Sequence, residues 1–287
     1  MIYRFYDEDD TNSKNDQRDC GPGVETGQNN KVPDSEAVAS LSEACPYLRK
    51  LELIDSHTRV SLFSTDSPMH SARHPCTKYR DQLTDSSLPA LASLSFLTHL
   101  TLAGLQNVRH GRGLVDITRG CGQLSYLSLA YLGLQADCTF LPALCEALKH
   151  ATNLADFRLE HRYMSISSRL IQSLASCTKL RRLCLITETG CVERSASFGV
   201  LIESCAQLTL LLVITNDSET ARRSMRRETK NKKKTRAQLS VVFGSTEDVR
   251  NQRGRHDTLK FVSHQDLREL VLFDSHVCQP ELHMDIT

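Results

Sequence analysis

Eleven cysteines and eleven histidines are the side chains of this sequence best suited to nucleophilic or metal chemistry. A cysteine nucleophile needs a base within reach and an electropositive setting that favours the thiolate. No Cys–His pair here lies in a recognised local signature. Cys184 stands between Leu183 and Leu185, and alternation along a strand points it away from both. It reads as a surface thiol, not a nucleophile. His74 and Cys76 flank Pro75 and could offer two metal ligands. That is half of a four-ligand zinc site, and no C-x-x-C pair supplies the rest, so the segment reads as a loop.

The second chemical feature is a basic run. Arg222, Arg223, Arg226, Arg227, Lys230, Lys232, Lys233, Lys234 and Arg236 stand in 216–237, with Glu228 as the acid among them. A solvated loop is the plain reading. A two-part nuclear-import patch, Arg222, Arg223, Arg226 and Arg227 with Lys232, Lys233, Lys234 and Arg236, is the second. Phosphate binding to nucleic acid is the third, but no aromatic residue is interleaved to stack on bases.

Composition narrows the class. The net charge of +1 over 287 residues gives no bulk attraction to nucleic acid or membrane. No apolar run reaches the roughly 18–20 residues that span a bilayer. The N-terminus is acidic and lacks a signal-peptide core, so the cysteines are expected to be reduced thiols in the cytosol or nucleus. Trp is absent and aromatics are 6%, so the core must be aliphatic.

What positions these residues is a repeat. A Cys, or a substitute, stands three residues before an L-x-x-L-x-L phrase. The first copy is Cys45 with Leu48, Leu51 and Leu53, and the second is Leu94 with Leu97, Leu100 and Leu102. Cys121 precedes Leu124, Leu127 and Leu129; Ala151 precedes Leu154, Phe157 and Leu159. Cys177 precedes Leu180, Leu183 and Leu185; Cys205 precedes Leu208, Leu211 and Val213; His264 precedes Leu267, Leu270 and Leu272. The central spacings, 26 to 30 residues, match the upper range of a leucine-rich repeat. A hidden copy at Val242 splits the last long step, giving eight repeat strands.

In L-x-L both leucines face one side of a short strand. One repeat cannot bury that side, but stacked repeats make a parallel sheet with a continuous core. The return paths read as helices at 35–44, 84–93, 114–119, 140–150, 168–176 and 197–204. The expected fold is therefore an α/β leucine-rich-repeat horseshoe of the ribonuclease-inhibitor type, strands concave and helices convex. The repeat domain covers 35–287, with insertions at 56–82 and 216–237, and residues 1–34 are expected to be disordered. The repeat Cys is a small buried hydrophobe where the two layers meet.

The phase also assigns the concave face, where solenoids bind protein partners. Its positions are Lys50, Glu52, His99, Thr101, Tyr126, Ser128, Asp156, Arg158, Glu160, Arg182, Cys184, Leu210, Leu212, Ile214, Glu269, Val271 and Phe273, with Val241 and Phe243 in the hidden copy. The early positions are polar, the middle charged and the late ones apolar. An apolar late patch needs a cover, from a partner or from the chain's own 216–237 or 276–287.

The Cys-bearing phrase resembles the repeats of F-box proteins. The run from FLTHLTLAGL through GRGLVDITRGCGQLSYLSLAYLGL to LPALCEALKH, LADFRLEHRY and LRRLCLI looks like the C-terminal, repeat-bearing half of an F-box/LRR-repeat protein. The likeness covers about residues 36–212 and continues more weakly at AQLSVVF and LRELVLFDSHV. It implies a non-catalytic substrate receptor of a Skp–cullin–F-box ubiquitin ligase, without cofactor or metal. In that family the repeats capture the substrate and the F-box binds the Skp adaptor. One departure matters: an F-box is a compact helical module opening on Leu-Pro, and residues 1–34 contain no Leu. Either the sequence is part of a longer one, or it is a relative that acts as a scaffold or decoy without recruiting ligase. A second departure is the near absence of Asn at the position after L-x-L, where only Asn216 sits.

Overall fold

The computed structural model describes residues 2–6, 35–54, 83–105, 107–130, 132–133, 140–161, 163–187, 191–229 and 239–245. They build one eight-stranded sheet in chain order. Its strands are β1 (Ile2–Tyr6), β2 (Lys50–Ile54), β3 (His99–Ala103), β4 (Tyr126–Ala130), β5 (Asp156–Glu160), β6 (Arg182–Thr187), β7 (Leu210–Thr215) and β8 (Ser240–Gly244). From β2 to β8 every pairing is parallel.

The register aligns the repeat leucines. Leu51, Leu100, Leu127, Phe157, Leu183 and Leu211 form one line and Leu53, Leu102, Leu129, Leu159, Leu185 and Val213 the next, all buried. The crossovers lie against that face. They are α1 (Ser35–Ala44), a 3-10 helix (Leu88–Ser93), α2 (Arg112–Gly120), α3 (Phe140–His150), α4 (Ser168–Ala175), α5 (Phe198–Ser204) and α6 (Ser218–Thr229). The Ser167 and Ser197 hydroxyls accept from the amides of Leu170 and Val200, so α4 and α5 each carry their own helix-start signal.

The second crossover is shorter than its sequence span of 84–93 suggests. Asp85, Ser86 and Ser87 turn instead of winding, and Pro89 opens a single 3-10 segment. Asp85 serves the next repeat: its carboxylate accepts from the amides of Arg109, His110 and Gly111 at 2.7–2.9 Å. That clamp delivers the chain into α2 through Gly111, whose φ of +67° suits glycine.

The repeat cysteines do more than fill space. The Cys121, Cys177 and Cys205 thiols each donate to a carbonyl one repeat back, Leu91 at 3.4 Å, Leu148 at 3.3 Å and Leu174 at 3.7 Å. Each buried sulfur thus adds a second donor to a carbonyl near the end of the preceding helix that already accepts a backbone amide.

Three expectations are corrected. Residues 2–6, read as part of a disordered segment, form β1, antiparallel to β2; four of the five residues of IYRFY are the β-branched and aromatic types that strands favour. The segment 216–237, read as a loop, contains α6. Arg223 pairs with Glu219 one turn back, Ala221 is fully buried, the Ser224 hydroxyl donates to the Ala196 carbonyl, and the Arg222 guanidinium donates to the Phe243 carbonyl. The hidden copy exists as β8, but its phase is shifted by one residue. Val241 and Phe243 continue the two leucine lines, Phe243 meets Phe198 of α5 edge-on at 5.7 Å, and Val242 takes the other face. Two adjacent valines had left the alternation ambiguous. The insertion 56–82, with His74 and Cys76, and the copy around Leu270, with Glu269, Val271 and Phe273, lie outside the described residues.

Spacing between repeats is set tightest at α2. A Cβ on Gly120 would lie 2.1 Å from the Ala92 carbonyl oxygen, whereas one on Gly122 would meet nothing within 4 Å. Gly120→Ala is therefore expected to destabilise the fold by about 1–3 kcal/mol in denaturant titration, and Gly122→Ala to be nearly silent. Equal midpoints for the two variants would refute this account of the repeat spacing.

Candidate functional site

Once the leucines are in line, the intervening residues fall into three rows across the other face. The first runs Lys50, His99, Tyr126, Asp156, Arg182, Leu210, Ser240. The second runs Glu52, Thr101, Ser128, Arg158, Cys184, Leu212, Val242, and the third ends Glu160, Ile186, Ile214, Gly244. The rows bring together the candidate partner-facing residues His99, Thr101, Tyr126, Ser128, Asp156, Arg158, Glu160, Arg182, Cys184, Leu210, Leu212 and Ile214, as the sequence phase predicts.

Their exposure is not as predicted. Cys184, Leu212 and Ile214 have no exposure at all, and Leu210, Ile186 and Val242 are buried too. Every residue of β7 is buried, so this strand is closed on both faces. Thr101, Ser128, Asp156, Arg158 and Glu160 are also buried. Lys50, Glu52, His99, Tyr126 and Arg182 remain half-buried. The apolar late end is therefore closed in this chain, and the accessible part of the face lies toward β2–β4.

At that open end Lys50, Leu51, Glu52, His99, Thr101 and Tyr126 line a shallow depression of about 240 Å³. The His99 ring stacks on Tyr126 with centroids 5.3 Å apart, and the Arg158 guanidinium lies 5.1 Å from the Tyr126 ring centre. Burial raises the Tyr126 pKa, with Arg158 pulling the other way, so the phenol stays neutral. The depression thus offers an aromatic floor beside one ammonium and one carboxylate.

Beyond it lies a charged centre. Arg182 is ion-paired to Asp156, and Arg158 Nε lies 3.9 Å from the same carboxylate. Asp156 and Arg158 are buried, which raises what it costs to break these pairs. Asp156→Ala removes the carboxylate that both guanidinium groups face. It should cost about 2–3 kcal/mol, less than for a fully dry pair because the Arg182 side chain is 35% exposed. A melting temperature within a degree of wild type would contradict this.

The chemistry of Cys184 also changes with the structure. Burial pushes its pKa far up, with Glu160 adding to the rise and Arg158 opposing it. The expected surface thiol is a neutral buried one. Cys121 and Cys177 are pushed up to about 11 and about 12, again by burial. Cys45 and Cys191 are exposed. Iodoacetamide at pH 8, mapped by peptide mass, should therefore label Cys45 and Cys191 well before Cys121, Cys177, Cys184 and Cys205. Early labelling of Cys184 would overturn the closed reading of the face.

Sequence reasoning missed His161. It follows β5, is buried, accepts from the Tyr163 amide at 3.2 Å through Nδ1, and packs on Phe140 with centroids 5.8 Å apart. Burial lowers its pKa, a backbone hydrogen bond to Leu132 opposing, so it is a neutral turn-former. Its position in a turn that lacks Asn was the available signal.

In the basic run, Arg222 and Arg223 are engaged within the fold as described, and Arg226 and Arg227 continue the same helix. Lys232, Lys233, Lys234 and Arg236 lie outside the described residues. Among the described residues no group of three or more His, Cys, Asp or Glu could hold a metal ion, and no helix is long and apolar enough to cross a membrane.

Parallel strands in chain order, helices on one face and an in-register aliphatic ladder define an α/β leucine-rich-repeat solenoid, with a polar and aromatic concave face. The chain belongs to the family described as F-box/LRR-repeat protein 18, LRR, whose model matches residues 20–237. Human F-box/LRR-repeat protein 18 is 33% identical over 241 residues, 84% of this chain. The chain spans 33% of that relative's length. Among solved structures, an internalin from Listeria monocytogenes is similar at 16% identity, over 55% of this chain and 57% of that one, with a TM-score of 0.23.

Proposed function

We propose that this chain is the partner-binding, non-catalytic repeat region of a substrate receptor in protein ubiquitination. The observation that carries the reading is the division of the concave face. Its late apolar end is closed, while Lys50, Glu52, His99 and Tyr126 keep a polar and aromatic opening on rigid parallel strands. Membership in an F-box/LRR family supports the ubiquitin context. Solenoids of this class use such faces for protein partners, and half-buried aromatic residues are suited to anchor them. Ubiquitin transfer would reside in other subunits. Recruitment of the Skp adaptor and cullin would depend on an F-box, and residence in the cytoplasm or nucleus follows from that role.

A photo-crosslinking amino acid placed at His99 should trap protein partners in cells, and the same group at the exposed convex Val200 should not. Tyr126→Ala should reduce capture about tenfold or more, the loss of an anchor residue, with little change in melting temperature. Leu212→Glu, by contrast, should unfold the late strands, because a carboxylate there has no exposure to water. Equal crosslinking from positions 99 and 200 would refute the assigned face. In a pull-down the 287-residue chain alone is expected to retain partners but not the Skp adaptor. Stoichiometric adaptor binding would place adaptor recruitment within these residues.

A further inference from the structure

β1 is the strand that does not belong to the repeat. β2 to β8 are parallel and each follows a crossover, whereas β1 is antiparallel and joins β2 from outside the repeat pattern. Without it, the backbone amides and carbonyls along the outer side of Lys50–Ile54 would form an open sheet edge, a ready template for another strand. The register sets Tyr3 and Phe5 opposite Leu53 and Leu51, and Arg4 opposite Glu52. The edge therefore takes a strand with apolar residues at alternate positions around one cation.

The same edge adjoins the depression, since Lys50 and Glu52 line both. It also adjoins an exposed aromatic pair. Tyr47 is 67% and Phe96 39% exposed, with ring centroids 5.3 Å apart. An antiparallel strand in this register, continued past the residue opposite Lys50, runs toward Arg49, Leu48 and Tyr47. In this sequence the residues after Tyr6 are Asp7, Glu8, Asp9 and Asp10, all carboxylates and none an apolar residue of the kind that would match such a pair.

We propose that the outer edge of β2 is a strand-docking site held in cis by residues 2–6, and that an extended partner peptide displaces them. The peptide would carry apolar residues at alternate positions, a cation opposite Glu52, and a further apolar residue near Tyr47 and Phe96. Main-chain hydrogen bonds supply the pairing and the alternate side chains the choice of partner. The cis strand acts as a regulator, because a tethered occupant competes at a millimolar-order effective concentration. This deepens the receptor reading and rests on it.

The probe is a labelled synthetic peptide with the sequence of residues 2–10, read by fluorescence anisotropy against the full chain. Phe5→Pro and, separately, Arg4→Glu release the cis strand, the first by removing a strand donor and the second by opposing like charges. Both released chains should bind the probe at least about tenfold more tightly than wild type, in which the edge is occupied. A probe with Asp9→Leu should bind several-fold tighter still. Glu52→Arg in the Phe5→Pro chain should abolish binding, and a probe carrying Arg4→Glu should restore it.

If neither released chain binds the probe while its melting temperature matches wild type, the proposal is overturned. Charge reversal without effect would overturn it equally. A released chain that dimerises in gel filtration without peptide would show that the edge takes a second copy, which also defeats the partner-peptide assignment. Crosslinking from His99 does not depend on residues 2–6. If it persists while the peptide test fails, the receptor reading stands and only the edge site falls.

Discussion

A leucine side chain on a five-residue strand cannot leave water unless another strand lies beside it in register and a helix lies over it. That dependence governs this molecule. Leu51, Leu100, Leu127, Phe157, Leu183 and Leu211 are each buried because the neighbouring repeat supplies the same residue at the same height. A slip of one residue would turn every leucine to the opposite face. Contacts between successive repeats hold the spacing. Cysteine thiols reach carbonyls one repeat back, Asp85 gathers three amides of the following turn, and Gly120 lets α2 rest on the Ala92 backbone.

With the leucine side committed, the other face is a consequence of register. Residues far apart in the chain become neighbours about 4.8 Å apart. His99 meets Tyr126, and Arg182 meets Asp156, because they occupy equal heights on adjacent strands. The rows grade from half-buried polar residues on β2–β4, through charges on β5 and β6, to closed aliphatic residues on β7. That gradient directs recognition to one end of the face. It also makes the charged centre a structural element, since Asp156 and Arg158 are buried and hold one another in place.

Among the described residues, the two ends of the sheet are finished differently. At β8 the strand is tied to a helix outside the phrase, through the Arg222 donation to the Phe243 carbonyl. At β2 the finish is an added antiparallel strand, beside the depression and the exposed Tyr47–Phe96 pair. A receptor that captures partners through its open end would thus carry its own competitor at that end.

The phrase Leu-x-x-Leu-x-Leu was enough to determine the fold class, the strands β2 to β7, the helix at 140–150 and the membership of the concave rows. Local alternation and spacing encode those properties, and the repeat reinforces them. Where the alternation was broken, at Val241 and Val242, the phase came out one residue off; only the packing of Phe243 on Phe198 set it. The helix at 218–229 was illegible because its residues are almost all charged or polar, and it is held by Ala221, Ser224 and Arg222 reaching other repeats. Burial of Leu212, Ile214 and Cys184 could not be read from one strand either, since alternation tells which side a residue faces and not whether that side is covered. Covering depends on what distant parts of the chain bring to the same place, and that is decided by tertiary structure alone.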